Sequence, residues 1–304
     1  MSAAIRRMKD LPSTHLLGAG TSMCAGCGAL LALHEIYDLL GVRSVFVNAA
    51  SCMTLLAAYP FTPFRGSWLY TSMASAPAGA QGVRDALDIL LEQGRIAPEE
   101  DLTAVALTGD GAATGIGLSA TSGAIDRGLD FIYLCYDNEG YGNTGQQSSA
   151  ATPYGAHTAT SIGAHGHCGT KQDLFAVWIA HRPAYAATVI GADPLDLAKK
   201  IGQARALQGP RLIHALAPCP PGWDFDPAIG VEIGRLAVKT GVWPLKQYLD
   251  GKVTHTHVPH PRLPVEEYLK LQGRFRHLFE PVRDAATLGR IQSDVDAYWA
   301  QVAA

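Results

Sequence analysis

The chain has 304 residues, of which 48% are apolar and 17% charged, with a formal net charge of −3. Enough apolar residues are present to fill a substantial core, which excludes a disordered chain, and the weakly acidic balance offers no basic surface for nucleic acid or anionic lipid. The opening stretch MSAAIRRMKDLPSTHLLGAG lacks the continuous apolar segment of a secretory signal, and no apolar run is long enough to cross a bilayer. The expectation is a cytoplasmic protein without a membrane span. Its six cysteines then serve as ligands, catalytic groups or core residues rather than disulfides.

The first unusual stretch in chain order is CAGCGA, residues 24–29. Cys24 and Cys27 flank Ala25 and Gly26 and are followed by Gly28. Such a pair suits a metal or cluster site, a redox dithiol or a tight turn, and its spacing alone does not choose among them. Next comes SVFVNA (44–49), an apolar run that reads as a buried strand, with Cys52 three residues beyond it. In GVRDALDILLEQG, Val83, Ala86, Leu87, Leu90 and Leu91 share one helical face.

Four more runs read as strands: TAVALT (103–108), FIYLCY (131–136), YAATVI (185–190) and RLIHAL (211–216). Before the last of them, DPLDLAKKIGQARAL opens with Asp193 as a helix N-cap and Pro194 at the first helical position. Strands alternating with helices predict an α/β fold, a doubly wound and mostly parallel sheet covered on both faces. Ligands of such sheets bind beyond the carboxyl ends of the strands. Cys52, Asp110, Asn138 and Cys219 each follow a predicted strand within three residues. Cys135, inside an apolar strand, reads as a core residue. His165, His167 and Cys168 in AHGHC read as a loop. Beyond about residue 235 the pattern loosens, so residues 1–235 are expected to form the main domain. Residues 236–304 are expected to be a C-terminal extension packing on the core or a partner, with one helix near 264–278.

The segment TGDGAATGIGLSATSGAIDRGLDFIYLCYDNEGYGNTGQQSS carries the chemistry. Asn138 follows Asp110 by 28 residues, with helix and strand between. A right-handed crossover places the two strands on one edge, so Asp110 and Asn138 face one point. The glycine-rich turn after Asp110 leaves backbone N–H groups at a helix N-terminus, a cradle for a diphosphate. A carboxylate, an amide oxygen and a backbone carbonyl around a diphosphate suit Mg²⁺. The GDG tripeptide alone would be read as a capped turn; the paired Asn138 favours the diphosphate–Mg²⁺ reading.

With GDG and its Asn, the segment resembles the thiamine diphosphate enzymes. DNEGYGNTGQQSS narrows this to the β subunit, or C-terminal thiamine domain, of the pyruvate:ferredoxin (2-oxo acid:acceptor) oxidoreductases. YPFTPFRGSW (59–68) and PVEEYLKLQGRFRHL (264–278) resemble further segments of that family, so the likeness covers nearly the whole chain. It implies the thiamine diphosphate-binding fold, with Asp110, Asn138 and the Gly140 carbonyl on Mg²⁺. Asn143 and Thr144 would be the catalytic positions beside the coenzyme. Gly28, Cys52, Gly109, Gly111, Ala112 and Tyr141 complete the implied cofactor-binding set. The resemblance also implies a [4Fe–4S] cluster on Cys24, Cys27, Cys52 and Cys219. Four thiolates suit zinc as well, but a cluster beside thiamine has a use, the removal of electrons one at a time.

The implied activity is oxidative decarboxylation of a 2-oxo acid, with the acyl group passed to coenzyme A and electrons to iron–sulfur clusters. The glutamate that activates the coenzyme has no matching motif here. An α subunit is expected to supply it, within an assembly that also holds a ferredoxin-like iron–sulfur subunit and a γ subunit. Met73-Ala74-Ser75-Ala76-Pro77 stands where pyruvate enzymes of the family commonly read Phe-Glu-Asn-Ala-Ala. Smaller groups there suit either pyruvate or a bulkier acid such as phenylglyoxylate, and Ala29, where some members carry Glu, leaves the same question. Two other readings are weighed: a non-redox thiamine-dependent lyase or decarboxylase, and a zinc-stabilised structural subunit.

Overall fold

The computed structural model describes residues 5, 7–57, 60–163 and 165–303. Part of the N-terminal stretch read for a signal (residues 1–4 and 6), Tyr59 of the 59–68 segment and Ala164 of AHGHC lie outside the described residues.

In chain order the elements are α1 (Gly28–Leu40), β1 (Ser44–Ala49), β2 (Ser67–Thr71), α2 (Ala76–Glu92), β3 (Thr103–Gly109), α3 (Leu118–Asp126), β4 (Phe131–Asp137), α4 (Leu174–Ile179) and β5 (Tyr185–Ile190). They continue with α5 (Pro194–Ala206), β6 (Pro210–Leu216), α6 (Pro220–Trp223), α7 (Gly230–Lys239), β7 (Lys246–Leu249), β8 (Lys252–His255), α8 (Glu266–Leu269) and α9 (Ala285–Ala303). All five expected strands form. They are joined in one eight-stranded sheet of order β2-β1-β3-β4-β6-β5-β7-β8. The first six strands of that order run parallel, and β7 and β8 add an antiparallel edge.

Because β3, β4, β5 and β6 are covered on both faces, their residues are apolar almost throughout rather than alternating. Phe46, Val105, Leu107, Ile132, Leu134 and Ile213 pack under α1 and α5. Val47, Ala104, Ala106, Phe131, Tyr133 and Leu212 face the opposite layer, which includes α2 and α4. Asp193 caps α5 as expected, its side chain accepting from Asp196 N–H at 3.2 Å.

Three strands escaped the sequence reading for physical reasons. Strand β2 is a half-exposed edge strand with Leu69 47% and Tyr70 54% exposed, so it carries no buried-strand pattern. Strands β7 and β8 are four residues each and contain Lys246, Gln247 and Lys252. The helix expected near 264–278 is instead α8 followed by a separate 3₁₀ turn over Gly273–Leu278. The break comes where Gly273 N–H is drawn to Asp224 O at 2.8 Å. Residue 235 falls inside α7, and β7 and β8 beyond it belong to the same sheet. A third cluster, with Trp223, Ile233, Ala237, Tyr268, Phe275 and Leu288, seats the last segment on the core.

Candidate active site

The chain departs from β1 to β2 on one side and returns to β3 on the other, which opens a crevice at the carboxyl ends of adjacent strands. Cys52, Asp110, Asn138 and Cys219 follow β1, β3, β4 and β6, which are consecutive neighbours in the sheet. Four positions spread over 168 residues, from 52 to 219, therefore meet at one rim.

Asp110 is fully buried and accepts from Ser149 Oγ at 2.5 Å through Oδ2. Its other oxygen faces the Asn138 carboxamide. The carboxamide oxygen position lies 2.8 Å from Asp110 Oδ1 and 2.7 Å from Gly140 O, with no donor between them. Three oxygens so placed either require the amide to turn its NH₂ inward or require a cation. In an octahedron with bonds of about 2.05 Å, adjacent oxygens are about 2.9 Å apart, close to the spacing seen. Burial, then the Asp137 carboxylate, push the Asp110 carboxyl well above its usual range, outweighing the Ser149 bond and the Lys171 ammonium.

Glu139 turns this corner with a φ of 62°, a left-handed conformation that costs a non-glycine residue about 1–2 kcal/mol. The turn lets residues on either side of it address Asp110. After β3 the chain enters a single π-helical turn, Ala112–Ile116, before α3, rather than the plain helix start expected. At Gly111 any Cβ would sit 2.2 Å from Tyr141 Cε1, so only glycine lets the tyrosine ring close over the turn.

A cleft of about 170 Å³ opens over this corner. Gly109, Gly111, Ala112, Asn138, Gly140, Tyr141, Asn143, Thr144 and Cys52 all line it, together with Ala50, Thr54 and Met73. Asn143 and Thr144 are exposed at its mouth, and Thr144 Oγ1 donates to Tyr141 O at 3.3 Å. Gly28 is placed elsewhere: it starts α1, its N–H donates to Pro218 O at 3.0 Å, and it lines a separate cleft with Cys24 and Cys27.

The four cysteines gather at one side of the corner. Cys27 caps α1, its sulfur accepting from Leu30 N–H at 3.4 Å. Burial pushes the Cys52 thiol up to about 12, and Cys219, Cys27 and Cys24 push it further in that direction. Burial likewise raises Cys219 to about 11, with Cys27 and Cys24 adding and the Gly222 backbone opposing. Four mutually repelling sulfurs need a positive centre to hold them as thiolates. Zinc at 2.3 Å would draw them to about 3.8 Å of one another. Among the described residues, no three of these sulfurs lie within 4.8 Å of one another. Gly142 joins the two halves: a Cβ there would meet Asn138 Nδ2 at 2.5 Å and Cys52 Sγ at 3.3 Å.

The family "thiamine pyrophosphate enzyme, C-terminal TPP binding domain" matches residues 49–215, the span that carries Cys52, Asp110 and Asn138. Pyruvate synthase subunit PorB of Methanothermobacter thermautotrophicus is 42% identical over 291 residues, covering 94% of this chain and 97% of that one. The chain belongs to the β subunits of the 2-oxo acid:ferredoxin oxidoreductases. Ketoisovalerate oxidoreductase subunit VorB of Pyrococcus furiosus is 37% identical over 281 residues, covering 90% of this β subunit and 89% of its own chain. Among solved structures, a 2-oxoglutarate:ferredoxin oxidoreductase from Magnetococcus marinus shares the fold, with a TM-score of 0.57 at 19% identity over 77% of this chain and 84% of that one.

Beneath the corner this β subunit buries an ionic network that sequence reasoning missed. Lys171 Nζ donates to Asp137 at 2.8 Å and to Glu139 at 2.6 Å. Arg274 donates to the other Glu139 oxygen at 2.6 Å, and His214 pairs with Asp137 at 3.0 Å. Burial alone would raise Asp137, but Lys171 and His214 more than offset it and hold the carboxylate well below its usual range. Trp223 Nε1 donates to Asn138 O at 2.8 Å, and the Arg274 guanidinium lies 3.9 Å over the Trp223 ring. The only signal available was a run of charges, Asp137 and Glu139, at the end of a buried strand, which demands distant cations.

Proposed function

We propose that this β subunit binds thiamine diphosphate through Mg²⁺ and works in a coenzyme A-acylating 2-oxo acid:ferredoxin oxidoreductase. One observation carries the reading. The Asn138 carboxamide stands between the two groups: one end lies 2.8 Å from Asp110 Oδ1 and 2.7 Å from Gly140 O, the other 3.9 Å from Cys52 Sγ, so a cation at the oxygens would turn its oxygen to the ion and its NH₂ to the sulfur. That single orientation suits a cation on one side and a thiolate on the other.

Asp110 Oδ1, Asn138 Oδ1 and Gly140 O would hold Mg²⁺, a hard ion that takes oxygen ligands. Backbone N–H groups from Gly111 onward would meet the diphosphate. Cys24, Cys27, Cys52 and Cys219 would hold a [4Fe–4S] cluster, favoured over zinc because a redox centre beside the coenzyme can take up its electrons. The bound coenzyme supplies carbanion chemistry for decarboxylation, and the cluster accepts single electrons. The protein's own part is positioning. Asn143 and Thr144 stand at the mouth where a substrate enters, and Tyr141 walls the turn. Met73, Ala50 and Thr54 bound the space for the acid's side chain. The small residues Ala74 and Ser75 beside Met73 support a pocket for pyruvate or a bulkier acid such as phenylglyoxylate.

A partner is required in this reading. No carboxylate lines the cleft among the described residues, while Glu139 is engaged by Lys171 and Arg274. The loops and edge strand that carry the cleft expose Phe61 by 77%, Ile116 by 62%, Tyr70 by 54% and Leu69 by 47%. Such a surface suits an α subunit that covers the cleft and brings the activating glutamate. Ferredoxin-like and γ subunits would complete a cytoplasmic assembly that carries electrons onward.

The test is anaerobic purification of the native assembly, followed by assay of acceptor reduction. The substrates are pyruvate, 2-ketoisovalerate, 2-oxoglutarate and phenylglyoxylate, each with and without coenzyme A. A brown assembly that contains iron and sulfide, and reduces acceptor with at least one acid only when coenzyme A is present, is expected. A colourless assembly holding zinc would end the redox reading, and decarboxylation without acceptor reduction would favour the lyase.

A further inference from the structure

Helix α1 carries a second group of ligand-type side chains, remote in role from the thiamine cleft. His34 and Asp38 are one turn apart and so project from the same side of the helix. His15 joins them from the segment beside Leu17, which is bridged to Phe64. His34 Nδ1 lies 3.5 Å and His15 Nδ1 3.9 Å from Asp38 Oδ2. One ligand atom from each residue falls within 4.8 Å of the other two. The second carboxylate oxygen is already committed, since Leu16 N–H donates to Asp38 Oδ1 at 2.7 Å. That bond holds a side chain only 7% exposed with its remaining oxygen toward both imidazoles. The two rings are tilted by 57° with centroids 5.2 Å apart, an arrangement that brings ring edges rather than faces together.

We propose that His15, His34 and Asp38 form a binding site for a divalent first-row transition ion, with zinc the ion of choice. Two imidazoles and one carboxylate match zinc and its neighbours, whereas Mg²⁺ and Ca²⁺ seek oxygen alone. Three protein ligands leave at least one position for water. The Leu16 bond is the kind of outer contact that orients a metal-binding carboxylate. The consequence is mechanical. The ion ties the chain at His15 to α1, whose N-cap is Cys27. Thr21, Met23, Cys24 and His34 border one cleft, so the tie clamps the stretch leading into Cys24. Nothing in this depends on thiamine or on the identity of the 2-oxo acid.

Zinc retention by the native assembly, measured by equilibrium dialysis at micromolar zinc, tests the site. The parent and its His15→Ala and His34→Ala forms are compared in a Cys168→Ser background, which removes the exposed thiol near His165 and His167. The parent is expected to retain one more zinc per chain than either variant, whose affinity falls at least about tenfold. Zinc should also slow hydrogen exchange over residues 15–24 in the parent alone. His15 is 76% exposed, so its replacement leaves the fold intact. Equal zinc retention in all three proteins, or none in the parent, overturns the proposal.

Discussion

One end of the Asn138 carboxamide lies 3.9 Å from the sulfur of Cys52 and the other 2.8 Å from Asp110 Oδ1, so one side chain touches both the oxygen corner and the cysteine group. Hydrogen bonds to cluster sulfurs are among the groups that set reduction potential. Asn138→Asp keeps an oxygen for the corner but replaces the N–H with a negative charge facing Cys52. With the proposed cluster on Cys52, the expected result is a reduction potential lower by on the order of tens of millivolts, with thiamine diphosphate still bound. Redox titration of the purified assembly followed by electron paramagnetic resonance reads it. An unchanged potential would mean that the contact does not reach the cluster.

Arg274 belongs to the last segment of the chain, yet it pairs with Glu139 at 2.6 Å, 135 residues away. Glu139 is held in a left-handed conformation by this pair, by Lys171 and by its own N–H to Asp137 Oδ1 at 2.9 Å. Removing one member of a buried pair costs about 3–5 kcal/mol, and the low end applies because Lys171 stays. Arg274→Met should therefore lower the melting temperature and weaken Mg²⁺-dependent thiamine diphosphate binding about tenfold or more. Arg274→Lys should recover part of the stability, since it restores the charge but not the planar stack on Trp223. Melting curves and coenzyme titration separate the two effects.

The sheet was legible because its central strands are buried on both faces and so read as continuous apolar runs. The rim was legible because Asp110 and Asn138 follow two such runs. The ionic network was not, since Lys171, His214 and Arg274 lie in segments whose pattern gives no hint of their distant partners. Likewise β2 escaped because an edge strand exposes Leu69 and Tyr70, and α9 because its buried Leu288 and Trp299 are diluted by polar residues. Gly28 had a plausible place beside the second cysteine, but Pro218 packs against it instead; that long-range contact leaves no mark on the local sequence.

Asp110 is kept where a carboxylate is costly. It is fully buried and faces Asn138 and Gly140 oxygens, so without a cation the folded state must either carry a poorly solvated carboxylate or bind a proton. Asp110→Asn should raise the stability of the coenzyme-free protein by about 1 kcal/mol, the usual direction when a functional group is neutralised. The same change should abolish the stabilisation that Mg²⁺ and thiamine diphosphate give the parent by mass action. Melting temperatures with and without both ligands test the crossing. A variant that is still stabilised by them would remove Asp110 from the metal set.

His157 and His277 stack with ring centroids 3.6 Å apart, and neither ring nitrogen of His277 has a partner. Burial, then the neighbouring His157, hold the His277 imidazole below its ordinary value of 6.5, against the pull of Asp284. A depressed histidine binds fewer protons folded than unfolded, so stability rises with pH in the interval between the two values. The contribution is present above pH 6.5 and is lost as the pH falls below that value toward the folded one. His277→Phe keeps an aromatic face on His157 and takes up no proton. Its melting temperature, relative to the parent, should therefore rise by roughly 1–2 °C between pH 7.5 and pH 5.5. Differential scanning fluorimetry at both values measures it, and parallel pH dependence in the two proteins would show that His277 titrates freely.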